Sequence, residues 1–178
     1  MAQQSPTSKA PKISPKAVAE AKTKLAQAIG LHRAGRLAQA EWLYQEVLKL
    51  HPEQPQALQM LGVVLFQAGR MEQGVALLRK VVAIDPGQAA AHNNLGSALR
   101  ELKHFQEAVE SLDQAIRLKP DFADAYSNRG NALHELKQFE VAIHDFDHAI
   151  RLQPQHANAF NNRGTALCSL HRYSEALA

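Results

Sequence analysis

The chain has 178 residues, 46% hydrophobic and 21% charged, with a formal net charge of +3. These are the proportions of ordinary soluble proteins, and so small a charge, spread along the whole length, excludes the concentrated basic face that nucleic-acid binding needs. The longest run of large apolar residues, Val63 to Phe66, falls far short of the ~20 that cross a bilayer, so neither membrane insertion nor an export segment is expected. The single cysteine, Cys168, excludes an internal disulfide and a cysteine-based zinc cluster, which makes a reducing cytoplasm the expected compartment.

In chain order, residues 1–16 come first. They hold Pro6, Pro11 and Pro15, the hydroxyl residues Ser5, Thr7, Ser8 and Ser14, and three lysines with no acidic residue. Too few apolar side chains are present to bury, so the segment reads as a disordered basic tail. Regular structure is expected from Pro15 or Ala17, proline being tolerated in a helix's first turn.

Residues 17–178 are organised differently. Gly62, Gly96, Gly130 and Gly164 fall 34 residues apart, and so do Pro52, Pro86, Pro120 and Pro154. Two independent markers in one register define a unit copied along the chain, the signature of a solenoid. The repeats are 21–54, 55–88, 89–122, 123–156 and an incomplete 157–178. In the third, Ala91, Leu95, Ala98, Leu99 and Leu102 recur at helical spacing, and after Lys103 and His104 so do Phe105, Ala108, Val109, Leu112, Ala115 and Ile116. Two helices joined by so short a turn must fold back antiparallel. Pro120 then stops the second helix. Gly96 and Ala108 read as small residues on facing helices that let the backbones approach.

These repeats resemble the tetratricopeptide repeat family over residues 21–178. The residues carrying the resemblance are the glycines, the small residue twelve positions on (Ala40, Gly74, Ala108, Ala142, Ala176), the position held by Leu37, Met71, Phe105, Phe139 and Tyr173, and the terminal prolines. The resemblance implies an all-α solenoid of antiparallel helix pairs stacked in a right-handed superhelix, whose first helices line a concave groove. Two departures stand out. Arg129 and Arg163 occupy the slot of Leu61 and Leu95, where a guanidinium must snorkel or find a partner. In repeat 1, Lys24 and Gln27 replace apolar residues, as suits an end cap.

A second stripe on the first helices is rich in short polar residues. It comprises Asn93, Asn94, Ser97 and Arg100, then Asp124, Ser127, Asn128, Asn131 and His134, then Asn158, Asn161, Asn162 and Thr165. Two residues before the glycine stands an asparagine in repeats 3, 4 and 5 (Asn94, Asn128, Asn162) and Met60 in repeat 2. Each amide carries donor and acceptor, so a column of them suits the backbone of an extended peptide. The expected function is therefore an interaction scaffold that binds a protein or peptide partner in its groove. A carboxylate clamp would need more cations on this stripe than Arg100 alone. The wording NNLGSAL, SNRGNAL and NNRGTAL is also similar to the repeat arm of bacterial protein O-GlcNAc transferases. That resemblance implies the alternative reading, a substrate-recruiting N-terminal arm of a larger glycosyltransferase.

No catalytic, cofactor or metal constellation is read. His144 and His148 share metal-ligand spacing, beside Asp145 and Asp147, but lie off the apolar stripe and are expected in water. Cys168 lacks a histidine at motif spacing. The incomplete fifth repeat is expected to leave Leu167 and Leu170 uncovered. The chain would then be a fragment of a longer protein, or would be completed by a partner or by self-association.

Overall fold

A computed structural model describes residues 14–176. The described residues form ten α-helices, paired as α1 (Pro15–Arg33) with α2 (Leu37–Leu50), α3 (Pro55–Gln67) with α4 (Met71–Ile84), α5 (Ala89–Glu101) with α6 (Phe105–Leu118), α7 (Ala123–Glu135) with α8 (Phe139–Leu152), and α9 (Ala157–Ser169) with the single turn α10 (Tyr173–Ala176). The protein is an all-α solenoid. Among the described residues, no helix is long and apolar enough to cross a membrane.

Local chemistry sets the ends of these helices. Ser14 caps α1, its Oγ accepting from the Ala17 N–H at 3.2 Å, so Pro15 and Lys16 belong to the helix and not to the tail. The tail's expected disorder concerns residues 1–13, which lie outside the described residues. Gln54 caps α3 in the same way, accepting from the Ala57 N–H at 2.6 Å. The last residue before each repeat-ending proline, His51, Asp85, Lys119 and Gln153, is extended, with φ between −133° and −141°. Proline disfavours the helical conformation in the residue that precedes it.

The turn inside each pair requires one left-handed residue. Repeats 1 and 2 place Gly35 (φ 72°) and Gly69 (φ 77°) there, whereas repeats 3, 4 and 5 place Lys103, Lys137 and His171 at φ 58° to 62°. A side chain in that region costs roughly 1–2 kcal/mol, so the later turns carry backbone strain that the first two avoid.

Each helix packs against its sequence neighbours, and first helices also touch each other, α1 with α3, α5 with α7 and α7 with α9. Among the described residues, no comparable contact joins the second helices. The array therefore curves with first helices inside and second helices outside. Along it the apolar stripes meet in a row of buried clusters.

The repeated glycine lies where the two helices of a pair meet, but its neighbour varies. In repeat 2 a Cβ on Gly62 would lie 3.3 Å from the Gly74 carbonyl oxygen, and one on Gly74 only 2.8 Å from that of Gly62. In repeats 3 and 4 the space is taken by a side chain: a Cβ on Gly96 would lie 2.5 Å from Leu112 Cγ, and one on Gly130 2.6 Å from Phe146 Cε1. Gly96 is thus small for Leu112 more directly than for Ala108. In repeat 5 the nearest atom to such a Cβ on Gly164 is the Ala176 carbonyl oxygen, at 3.7 Å. The face left open at this end is not the expected one. Leu167 is fully buried against repeat 4 and Leu170 partly so, while Phe160 and Tyr173 are half-exposed. Leu167 points back into the preceding repeat, and its cover does not depend on a complete second helix.

These contacts predict opposite effects from one substitution. Gly130→Ala should overpack against Phe146 and cost about 1–3 kcal/mol. Gly164→Ala has room and should be neutral or gain up to about 1 kcal/mol of helix propensity. Urea denaturation of the two variants checks both signs.

Candidate functional site

The inner face is built from three positions on each first helix: two residues before the glycine position, one after it and four after it. Repeat 3 presents Asn94, Ser97 and Arg100 there, repeat 4 presents Asn128, Asn131 and His134, and all six are part-buried on the groove wall. Asn162 is part-buried and Thr165 exposed in repeat 5. Asp124, Asn158 and Asn161 are exposed.

Two of the expected groove residues are not on the surface. Asn93 is 9% exposed and Ser127 is 3% exposed. Their slot faces the first helix of the following repeat, so each is covered once that repeat stacks. In repeat 5 the same slot holds Asn161, which no described repeat covers.

The amides also hold one another, which a column of independent ligand contacts would not do. Asn128 Nδ2 donates to Asn93 Oδ1 at 3.0 Å, and Asn162 Nδ2 donates to Asn131 Oδ1 at 2.7 Å. His134 Nε2 and Ser169 Oγ lie 3.3 Å apart, and His32 Nε2 and Gln67 Oε1 make the equivalent contact at 3.2 Å one end earlier. An amide has two donors and two acceptor lone pairs. Asn128, Asn131 and Asn162, part-buried on the groove wall, therefore retain hydrogen-bonding capacity toward the groove, and Asn94 has no side-chain partner among the described residues. Arg100 is ion-paired with its neighbour Glu101, which reduces the charge it offers.

Three clefts recur in one register along this face. The first, about 740 Å³, lies between repeats 1 and 2 and is lined by Ile29, His32, Leu37, Tyr44, Met60 and Gln67. The second, about 280 Å³, lies between repeats 2 and 3 against Val63, Phe66, Asn94 and Ser97. The third, about 380 Å³, is bounded by Arg100, Asn131, His134, Asn162 and Thr165. The asparagines alone do not mark the wall of the first two clefts. Its signal was present, since Ile29, Met60, Val63 and Phe66 stand in the register of the polar groove residues.

Behind the groove, Arg129 resolves the departure at the leucine slot. Its Nε and Nη2 donate to Asp145 at 2.7 and 2.6 Å, and its Nη1 donates to Asp113 of the preceding repeat at 2.6 Å. Asp145 is 1% exposed. These hydrogen bonds, with Asp145 foremost, hold the guanidinium's pKa above its ordinary value against the opposing effect of burial. Arg163 repeats the inter-repeat half of this arrangement, Nε donating to Asp147 at 2.6 Å.

Both aspartates beside the histidine pair are therefore committed to arginines. His144 is exposed as expected, but His148 is part-buried and stacked 4.2 Å from the Tyr126 ring. Tyr126 also sits under Arg129, so helix–helix packing places this imidazole. No group of three or more metal-ligating side chains occurs among the described residues. Cys168 is exposed.

Antiparallel pairs sharing one continuous inner face define a helical-repeat interaction scaffold. Tetratricopeptide repeat models match residues 31–99, 123–156 and 146–178, and a model described as TPR repeat matches 96–137. The chain belongs to the tetratricopeptide repeat family. A comparison with curated protein sequences gave no match. Among solved structures, a MamA protein is similar at 26% identity and TM-score 0.79, covering 88% of this chain and 86% of that one. MamA from Desulfovibrio magneticus RS-1, residue 41 to its end, gives 22% identity and TM-score 0.82 over 93% and 91% of the two chains. YrrB, described as a TPR protein with an unusual peptide-binding site, gives 22% and 0.73 over 91% and 86%.

The Arg129–Asp145 pair stands where repeat 2 holds Leu61 and Leu77, members of one apolar cluster. Arg129→Leu alone should leave Asp145 buried without a counter-charge and cost about 3–5 kcal/mol. Arg129→Leu with Asp145→Leu restores the repeat 2 pair and should recover most of that loss. A double-mutant cycle in chemical denaturation reads the coupling.

Proposed function

We propose that the protein is a non-catalytic scaffold that binds an extended segment of a partner protein along its concave face. The observation that carries this reading is the recurrence of amide side chains at one register, with donors and acceptors left over after the inter-repeat bonds. Extended backbone presents N–H and C=O groups at regular intervals, and neutral amides pair with either. Such contacts read shape and backbone, with side-chain selectivity left to the clefts. The printed description of YrrB as having a peptide-binding site fits this reading.

Site-specific photo-crosslinking tests the face. A benzophenone side chain at position 97 or 131 should capture a partner protein from lysate, and one at position 144 on the outer surface should not. Capture from position 144 alone would move the binding surface to the convex side.

The amides themselves give a magnitude. A net hydrogen bond contributes about 0.5–1.5 kcal/mol. Asn94→Ala, Asn128→Ala and Asn162→Ala combined should therefore weaken a captured segment by about ten-fold to a thousand-fold. Because the contacts are neutral, the loss should persist at high salt. The variant should also melt earlier, since two of the three side chains tie neighbouring repeats. Titration calorimetry with circular dichroism as the folding control measures both, and His144→Ala should change neither.

A further inference from the structure

The groove is not chemically uniform along its length, and its gradient specifies what kind of segment fits. At the first cleft, Ile29, Leu37 and Met60 present apolar surface in front of Tyr44, beside the polar His32, Gln56 and Gln67. Tyr44 is fully buried with its hydroxyl 3.5 Å from His32 Nδ1, so the ring is fixed as a rigid wall. Burial raises this phenol's pKa, and it stays neutral at physiological pH. At the third cleft, Asn131 and Asn162 take the register of Ile29 and Met60, His134 keeps that of His32, and the buried Phe146 stands behind them in the register of Tyr44. Between them, the second cleft combines Val63 and Phe66 on one side with Asn94 and Ser97 on the other.

Charge follows the same direction. Arg33 lines the first cleft and is exposed. It has no carboxylate within ion-pair distance among the described residues. Arg100, farther along, already has Glu101. The apolar end of the groove therefore carries an unmatched cation, and the polar end does not.

Spacing sets the length. Packed helices stand about 8–10 Å apart and an extended chain rises ~3.3 Å per residue, so roughly three residues correspond to one repeat step. Three repeat steps from the first cleft to the end of the third then correspond to roughly seven to nine residues.

Resting on the groove reading, we propose that the preferred occupant is an internal, extended segment of a partner protein with a bulky apolar side chain flanked by Asp or Glu at one end. The apolar side chain fills the cleft of Ile29, Leu37, Tyr44 and Met60, and the carboxylate meets Arg33. The remaining residues carry small or polar side chains and lie across the amides of repeats 3 to 5. The groove thus has an anchoring end and a backbone-holding end, which gives a bound segment one direction.

Selection from a displayed library of random ten-residue peptides, held between constant flanks so that no free terminus is offered, tests this with the full chain as bait. The expected pool is enriched in Phe, Leu or Met within two residues of Asp or Glu, near one end. Selected peptides should lose at least ten-fold in affinity for Arg33→Glu, and replacing their acidic residue by Lys should restore it. Circular dichroism confirms that Arg33→Glu, a surface change, stays folded. A pool without the apolar–acidic pair, whose binding is still blocked by Ser97→Trp or Asn131→Trp, overturns the proposal and leaves the groove reading standing. A pool insensitive to Arg33→Glu and to both tryptophan blocks overturns the two together. Affinity that depends on a free peptide carboxylate, tested with amidated and acid forms of one synthetic peptide, would replace the internal carboxylate by a chain terminus and overturn the proposal as stated.

Discussion

A helix pair of this size cannot bury its own apolar stripe, and the architecture follows from that one shortage. Each pair needs a neighbour, and within each pair the two helices must lie at a fixed distance for the large residue of one to enter the space left by the small residue of the other. Phe146 over Gly130 and Leu112 over Gly96 show the lock in side-chain form. Gly62 against Gly74 shows it in backbone form. Because the small position recurs every 34 residues, the inner-face positions recur with it, and the groove inherits its regular spacing from a packing requirement in the core behind it.

The two halves of the array meet that requirement with different chemistry. Repeats 1 and 2 hold their pairs with Leu61, Leu77 and related side chains, and line their clefts with the same kind of residue. Repeats 4 and 5 place arginines at the leucine slot and reach across to aspartates of their own and the preceding repeat. A guanidinium needs acceptors in fixed directions, so the later repeats gain directionality where the earlier ones rely on shape. Desolvation of the buried charges opposes this gain, which makes specificity of stacking a better account of the pair than added stability.

Most of the fold was legible because the period is long and its markers are backbone-determined. Glycine and proline act on φ and on sterics wherever they stand, so the helix pairs and their boundaries could be read from Gly62 to Gly164 and from Pro52 to Pro154. The left-handed turn was legible only at Gly35 and Gly69, since Lys103, Lys137 and His171 adopt the same φ with no compositional sign. The site was legible in part. Helical phase separates an inner stripe from a packed one on a single helix, but it carries no information about the next helix. Asn93 and Ser127 fall on the inner stripe by phase and are buried by the neighbour. His148 lies off the apolar stripe by phase and is stacked on Tyr126 from another helix. Whatever depended on one repeat meeting the next was hidden, and the Asn128–Asn93 and Asn162–Asn131 bonds are of that kind.

Those amide bonds have a mechanical side. They lie on the inside of the curve, where first helices touch, while the second helices on the outside are spaced apart. Any flattening of the arc stretches the inner seam first. The bonds then act as stitches along a spring, setting its resting curvature and its resistance to opening. A segment that competes for the same amide groups would exchange stitches for contacts with itself, and the arc would relax as it fills. Stiffness and occupancy would in that case be one property, read out over the whole length of the solenoid and not only where the segment lies.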